Sequence, residues 1–466
     1  MRVKRKWRTA AAGVVLLGSA AATVWAGAVT VWAGAPAGAA ASAARRPVSL
    51  QILYTAPVLV RAGDRVRIPV DVICATTRDT ACPARVTMSA AAGSRPIRSA
   101  EAEARPDLGF DLSALASAAL VPRAPGRGSP VADRSGVVGF AIEATSARER
   151  ALMPAASIGG RLRFYVVASL PKVHVPPPSG GDERHGRVVV SLPWGTGPDR
   201  AGVALGGGAA SVGPSAFDVD RNERIHLLDT EQSRLTVFAG GRPVRSSIVP
   251  AGPRSDLTVA NDGTTYVLLR GPADRLSVVP IASDGTTRPA VSVGAGIPGS
   301  IESAGDAAYV HVYPLDAWLP VPGTRVAGNA ADPRVGAPLT GGGALLSAVR
   351  GRWLRLGLLR GGEVHGPVEV GTGTQLGELM LAEPDGSGGY VAVVHVWRDA
   401  PRALDAYEAV RVDRGRLVSW FALPRGAFST AMSPSQFRLG RDGALYQLLA
   451  EPSGVRIVRY RMGGRP

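Results

Sequence analysis

Short apolar strands separated by polar turns recur through the second half of the chain. Three copies of the pattern read GPSAFDVDRNERIHLLDT, RSDLTVANDGTTYVLLR and SPSQFRLGRDGALYQLL. Each copy combines an apolar strand, a polar turn and a second apolar strand, and a third strand follows after a loop. Phe217 and Phe437 hold equivalent places 220 residues apart, which is five steps of 44, a usual length for one four-stranded β-propeller blade. The spacing predicts a six-bladed propeller over residues 187–466, and the weaker middle repeats leave five or seven blades open.

The two ends of this region complement each other. Residues 187–192, RVVVSL, form one apolar strand with no blade of their own, whereas the last repeat, residues 436–460, shows only three strands. Pairing the first strand with the last blade would close the ring and remove two exposed sheet edges. We therefore expect the ring to close in this way.

The part of the chain before the repeats shows the alternation of apolar and polar residues that is typical of half-buried strands. Turn residues separate the candidate strands, which are residues 50–55, 66–74, 85–89, 137–144 and 162–167. Residues 47–170 are therefore predicted to form a small immunoglobulin-like β-sandwich. Residues 171–186, with four prolines and several charges, are predicted to be a stiff, solvated linker. The predicted fold class is all-β.

The chain has two cysteines, Cys74 and Cys82, eight positions apart. In an oxidising compartment such a pair favours one local disulfide across a loop between two strands. The alternative is two free thiols.

The amino-terminal region resembles an export signal. Five basic residues occur within the first eight, and an uncharged, mostly apolar run follows from residue 9 to residue 44. Residues 1–46 are therefore predicted to be a signal peptide or an uncleaved signal anchor, so that the protein is secreted or held at the outer face of the cell membrane. Contact with the membrane is expected only through an uncleaved segment.

The net charge of +16 changes this picture little. Outside the leader nearly all basic residues are single arginines spread along the chain, which are typical of codon bias rather than of a nucleic-acid-binding stripe. No nucleic acid partner is expected. An extracellular protein or a cell-wall glycan is the expected partner.

The repeats GPSAFDVDRNERIHLLDT and FRLGRDGALYQLL resemble the NHL type of propeller repeat. The preceding segment WGTGPDRAGVAL, residues 194–205, resembles secreted actinobacterial proteins that place a small β-sandwich before such a propeller. The resemblance implies the fold and implies almost nothing about activity. Asn222 and Glu223 stand where the repeat usually has a turn glycine.

Two motifs have simpler explanations than metal binding. Asp218, Asp220 and Asn222 begin like a calcium loop, but Glu223 replaces the required glycine, and a hairpin turn explains the same residues. The six histidines contain no HExxH motif and no closely spaced pair, so sheet packing explains those in the second strands of blades. No metal and no cofactor are expected.

The loops between the second and third strands of each blade hold aromatic residues next to charges. In propellers these loops surround one mouth of the central channel, opposite the Asp-Gly turns. Trp318, Trp397, Arg398 and Asp399 are the predicted ligand-binding residues, because a ring offers an apolar face and its neighbours offer hydrogen bonds. The alternative is that both tryptophans pack between blades.

These features favour a secreted, non-enzymatic binding or scaffold protein that presents one propeller face to a glycan, peptide or protein. No catalytic residue is assigned, because no nucleophile elbow, Walker loop or dinucleotide fingerprint occurs. The alternative is a metal-dependent propeller hydrolase or lyase that acts on a lactone or ester.

Overall fold

The protein is described here from a computed structural model. The structure describes residues 28–30, 49–54, 59–61, 70–75, 84–92, 95–103, 135–144, 159–176, 186–204, 213–252, 255–271, 275–295, 297–313, 317–324, 334–398, 404–426 and 435–463. Every named element in these ranges is a β-strand. A search of the same residues for a membrane-crossing helix of sufficient length and hydropathy finds none.

Eight strands precede the propeller and form two sheets, of order β1-β2-β4 and β3-β8-β7-β5-β6. They are β1 (Ala28–Thr30), β2 (Ser49–Tyr54), β3 (Leu59–Arg61), β4 (Val70–Ala75), β5 (Ala84–Ala92), β6 (Arg95–Glu103), β7 (Ser135–Ala144) and β8 (Gly159–Val167). Most side chains of these strands lie outside the described part of the chain, so the sandwich stays a prediction.

The rest of the chain forms a six-bladed β-propeller, which confirms the predicted blade number. The first two blades comprise β11 (Pro214–Val219), β12 (Ile225–Asp229), β13 (Arg234–Ala239) and β14 (Arg242–Ile248), then β15 (Asp256–Val259), β16 (Thr265–Arg270), β17 (Arg275–Ile281) and β18 (Val291–Ala295). Blades 3 and 4 comprise β19 (Ile297–Ala304), β20 (Ala307–Tyr313), β21 (Ala317–Pro320) and β22 (Arg334–Val335), then β23 (Ala337–Pro338), β24 (Ala344–Arg350), β25 (Trp353–Arg360) and β26 (Glu363–Thr372). Blade 5 comprises β27 (Gln375–Pro384), β28 (Tyr390–Arg398), β29 (Leu404–Asp413) and β30 (Arg416–Leu423), and blade 6 contains β31 (Phe437–Leu439), β32 (Ala444–Glu451) and β33 (Gly454–Arg461).

The ring closes as the sequence predicts. Strand β10 (Arg187–Pro193) pairs antiparallel with β33 and becomes the outermost strand of blade 6. Val190 and Leu192 are buried in a cluster that also contains Phe217 of blade 1. The Nε1 of Trp194, just after β10, donates to the carbonyl oxygen of Glu451 at 2.9 Å. The first strand of the propeller is thus held by backbone pairing and by the core.

Part of the segment predicted as a solvated linker is a strand. Residues Lys172–Val175 form β9, which pairs in parallel with β26 and adds a fifth strand to blade 4. Val173 and Val175 are buried, whereas the ammonium of Lys172 lies 3.2 Å from a carboxylate oxygen of Glu369. The apolar and polar alternation of KVHV suits an open sheet edge, and the neighbouring prolines obscure it in the sequence. Residues 177–185 of the predicted linker lie outside the described residues.

Hydrophobic cores lie between neighbouring blades. One cluster joins blades 6 and 1 through Phe217, Phe238 and Tyr446, and others join the remaining blades in the same way. Full burial of one such side chain contributes roughly 1.5–3 kcal/mol. Because the first strands of neighbouring blades contact one another around the axis, this packing also fixes the side chains that line the centre.

Candidate functional site

One position on the innermost strand of every blade lines a common cavity of about 450 Å³. In five blades this residue is the next to last of its strand. In blade 3 the cavity residue is the third from the end of its strand, because β19 extends up to a two-residue turn. The six residues, in blade order, are Asp218, Thr258, Glu302, Ala337, Glu383 and Arg438. We call the space that they enclose the axial cavity.

The axial cavity lies at the end of the propeller where the first strand of each blade turns into the second. Residues of these turns line it as well, among them Asp385 and Gly386 in blade 5 and Gly440 and Gly443 in blade 6. This is the face that carries the Asp-Gly turns, opposite the mouth where the sequence predicted a ligand.

Arg438 ties three blades together from within the cavity wall. It is only 6% exposed. Its Nε donates to the carbonyl oxygen of Phe217 at 3.1 Å, and its Nη2 donates to that of Leu257 at 2.8 Å and to Asp256 Oδ1 at 3.4 Å. Burial opposes the charge, but the carboxylates of Asp256 and Asp218 outweigh it and raise the pKa of Arg438. The guanidinium therefore stays charged.

Asp218 and Asp256 use their oxygens to join neighbouring blades. Asp218 Oδ2 accepts the backbone N–H of Val259 at 2.7 Å and the hydroxyl of Thr258 at 3.1 Å, both in blade 2. Asp256 Oδ2 accepts the N–H of Ile301 in blade 3 at 3.0 Å. Carboxylates that accept backbone donors and face a buried cation have a structural role that explains them fully.

Glu302 and Glu383 differ from these two aspartates. They stand in blades 3 and 5, on either side of Ala337 in blade 4, whose small side chain leaves the space between them open. Burial raises the pKa of Glu302 to about 7. Burial, together with the neighbouring Glu302, raises the pKa of Glu383 to about 8. Neither carboxylate forms an ion pair with a described residue. The charge of Arg438 lowers both pKa values, as does a backbone hydrogen bond from Leu439 at Glu383, but burial outweighs these effects.

The wall of the axial cavity is polar and charged. Arg360 and Arg441 are exposed at its rim, whereas Asp385 is paired with Arg411 at 3.0 Å. Among the described residues that line the cavity, none is aromatic. A ligand there would be held by charge and hydrogen bonds rather than by stacking.

The residues that resemble a calcium loop form a hairpin turn. Asp220 Oδ1 accepts the N–H groups of Asn222 and Arg224, at 2.8 and 2.9 Å, and its Oδ2 accepts from Arg224 Nε at 2.7 Å. Burial favours the neutral acid, but hydrogen bonds from His226 and Arg224 hold the pKa of Asp220 below its ordinary value. Glu223 takes the left-handed conformation, with φ of 59°, where glycine stands in the equivalent turns. The described residues contain no group of three or more His, Cys, Asp or Glu that could hold a metal ion.

His226 bridges two blades. It is fully buried, with its Nδ1 2.9 Å from the Thr265 hydroxyl of blade 2 and its Nε2 3.4 Å from Asp220. His395 packs against Tyr407 within blade 5. These contacts agree with the expectation that histidines in second strands pack within the sheets.

Of the four predicted ligand-binding residues, only Trp318 has a described side chain. Trp318 is 6% exposed and stacks on His311, with ring centroids 4.9 Å apart, so its ring is covered by packing. Trp397 and Arg398 end strand β28, their side chains are outside the described set, and Asp399 lies outside the described residues. Binding through these three residues stays a prediction.

The predicted disulfide is likewise untested. The backbone of Cys74 belongs to β4, and Cys82 lies outside the described residues.

The sequence carried a signal for the axial cavity that its motifs did not reveal. An apolar, buried residue directly precedes the cavity residue in four blades, as in Phe217-Asp218, Leu257-Thr258, Ile301-Glu302 and Phe437-Arg438. Aligning the repeats at this position would have brought Glu302 and Arg438 together.

No protein-family model matches the sequence, and no curated protein matches it. Solved structures that resemble it include a protein of unknown function from Bacteroides caccae, with 14% identity, a TM-score of 0.32 and coverage of 47% of this chain and 92% of that one. The PQQ-bound aldose sugar dehydrogenase of Streptomyces coelicolor has 12% identity and a TM-score of 0.32, and the match covers 61% of this chain and 98% of that one. A gluconolactonase from Xanthomonas campestris has 12% identity and a TM-score of 0.22, covering 59% and 89%. These likenesses, at 12–14% identity, assign no activity to this chain.

Proposed function

We propose that the protein is a non-enzymatic binding protein of the cell exterior, and that its propeller receives a polar ligand in the axial cavity. One observation carries this proposal. Each of the six blades contributes one residue to a single cavity, and two of the six, Glu302 and Glu383, are carboxyl groups that form no ion pair with a described residue. Buried polar groups are ordinarily paired, so such a pair marks a place where a partner is supplied from outside.

The location rests on the sequence. The basic start and the apolar run after it support export, and the repeat pattern supports an NHL-like propeller behind a small β-sandwich stapled by Cys74 and Cys82. In this proposal the amino-terminal region positions the propeller. Its contact with blade 4 supports that role, because Leu59 is buried there and its carbonyl oxygen accepts from Arg355 Nη1 at 3.1 Å.

The binding site can be tested before the ligand is known. Purified exported protein would be heated with a panel of cell-wall oligosaccharides, peptide amides and small amines, and the melting temperature recorded. A ligand at 100 times its Kd stabilises the folded state by roughly 2.7 kcal/mol. The double variant Glu302→Leu with Glu383→Leu removes both polar groups, and its melting curve without ligand shows whether the fold is kept. Glu231→Leu, at an exposed turn on the other face, is the control.

We expect panel members that stabilise the wild type and the control to lose their effect on the double variant. Ligands that stabilise all three proteins equally would place binding elsewhere on the molecule. A panel without any stabilising member would argue against binding of these ligand classes.

A further inference from the structure

The charged groups of the axial cavity fall into two sets: those that form ion pairs within the protein, and those that form none with a described residue. Arg438 is the buried cation, and Asp218 and Asp256 lie nearest to it, at 3.8 and 3.4 Å. Both aspartates also accept backbone N–H groups from the adjoining blade. One guanidinium therefore already faces two carboxylates, which leaves no full positive charge for Glu302 and Glu383.

Besides Arg438, only the imidazole of His311 acts on Glu302 as a cation, and it too favours the charged carboxylate. Arg360 and Arg441 lie exposed at the rim, and neither forms an ion pair with the two glutamates. The carboxylates influence each other across the space above Ala337, where mutual repulsion opposes ionisation of both. A positive group placed between them would relieve desolvation and repulsion together.

A second, independent feature of the cavity wall is a hydrogen-bond donor of Arg438. Arg438 is more than nine-tenths buried and lines the cavity, and its Nε and Nη2 are committed to blades 1 and 2. Its remaining terminal nitrogen, Nη1, forms no hydrogen bond with a described residue. A guanidinium nitrogen in the cavity wall without a protein acceptor favours a ligand that brings an oxygen.

We propose that the axial cavity binds a primary ammonium group with an oxygen acceptor two or three bonds away, as found at the free amino end of a peptide. The ammonium lies between Glu302 and Glu383, and the oxygen accepts from Arg438 Nη1. This inference rests on the proposed function, because it names the chemistry that the same cavity recognises. The absence of aromatic side chains from the described lining fits a ligand selected by charge rather than by stacking. A volume of about 450 Å³ is within the range of small-ligand pockets.

An amino sugar carries the same chemistry, so the experiment separates the two sources. Triglycine amide and glucosamine would be titrated into the full-length exported protein by calorimetry at pH 7.5. N-acetyl-triglycine amide and N-acetylglucosamine are the matched controls, because acetylation removes the charge and preserves the rest. We expect triglycine amide to bind at least 10-fold more tightly than its acetylated form, and more tightly than glucosamine.

Glu302→Gln and Glu383→Gln keep the size of the side chains and remove their charge. Each is expected to weaken binding of triglycine amide about 10-fold or more, as the loss of a charge-assisted hydrogen bond does. Glu231→Gln, outside the cavity, should leave the affinity unchanged. A thermal unfolding curve for each variant shows that a loss of binding is not a loss of fold.

Equal binding of the amine and its acetylated form would overturn this inference, as would wild-type affinity in both Gln variants or the absence of amine binding to the wild type. Tighter binding of glucosamine than of triglycine amide would overturn its peptide part. If neutral panel ligands still require Glu302 and Glu383 while amines do not bind, the proposed function stands and only the ammonium inference fails. If no ligand responds to either glutamate, both fail.

Discussion

Glu408 offers a test of the physics of the propeller core that is separate from ligand binding. It lies on β29, and its side chain shares a face with Val410 and Val412, which pack between blades 4 and 5. Glu408 is 0% exposed. Its Oε2 accepts from Trp420 Nε1 at 3.2 Å, and its Oε1 has no hydrogen-bond partner in the described structure.

Burial raises the pKa of Glu408 from 4.5 to about 7, opposed only by the Trp420 hydrogen bond. The unfolded chain loses this proton near pH 4.5, whereas the folded protein keeps it up to about pH 7. The group therefore lowers the free energy of unfolding progressively as pH rises through that window. At 1.36 kcal/mol for each unit of pKa, the loss reaches about 3 kcal/mol above pH 7.

The perturbation is Glu408→Gln, which cannot ionise and keeps an acceptor for Trp420. Urea unfolding of wild type and variant at several values between pH 5 and pH 8.5 measures the difference in stability. We expect near equality at pH 5 and a variant more stable by about 3 kcal/mol at pH 8.5. Glu231→Gln, at an exposed turn, is the control. A stability difference between Glu408→Gln and wild type that does not change with pH would refute the reasoning.

Four further predictions concern single features of the fold. Glu223→Gly should raise the free energy of unfolding by about 1 kcal/mol in urea, because glycine adopts the left-handed turn conformation without strain; an unchanged or lower value would mean that Glu223 makes a compensating contact. Arg438→Met should lower the free energy of unfolding by about 3 kcal/mol or more, since Asp256 would be buried without its cation. A loss below about 1 kcal/mol would show that Arg438 does not hold the blades together. Deleting β10 should lower the melting temperature, and an unchanged transition would show that the ring closes without it. Thiol labelling of the denatured, unreduced protein should find no free thiol at Cys74 or Cys82, whereas stoichiometric labelling would exclude the disulfide.

The sequence predicts the ring of blades because the strand, turn, strand pattern is local and repeats. It fades in blade 4, where the innermost strand is only Ala337–Pro338 and is followed by the glycine-rich turn of residues 341–343. Strand β9 was missed for another reason. Four alternating residues beside prolines carry little local signal, and the pairing of β9 depends on an edge that only the folded blade 4 provides.

The site was harder to predict because it depends on the positions of side chains around an axis. Glu302 and Glu383 occupy equivalent places, but the turns that follow them differ in length, so no fixed sequence spacing relates them. The sequence analysis instead favoured the aromatic loops of the opposite mouth. Trp318 shows the difficulty, because its position in the sequence does not reveal that His311 and the blade core cover its ring.

Photo-crosslinking tests most directly whether the axial cavity is the binding site. The probe is Gly-Gly-photoleucine amide, irradiated with the purified protein, and the crosslinked sites are mapped by mass spectrometry of the digested product. We predict crosslinks in the segments around Glu302, Glu383 and residues 438–443, all suppressed by excess triglycine amide. Suppressible crosslinks at Trp397, Arg398 and their neighbouring loop, with none in the cavity segments, would contradict the account and would move the ligand to the opposite face.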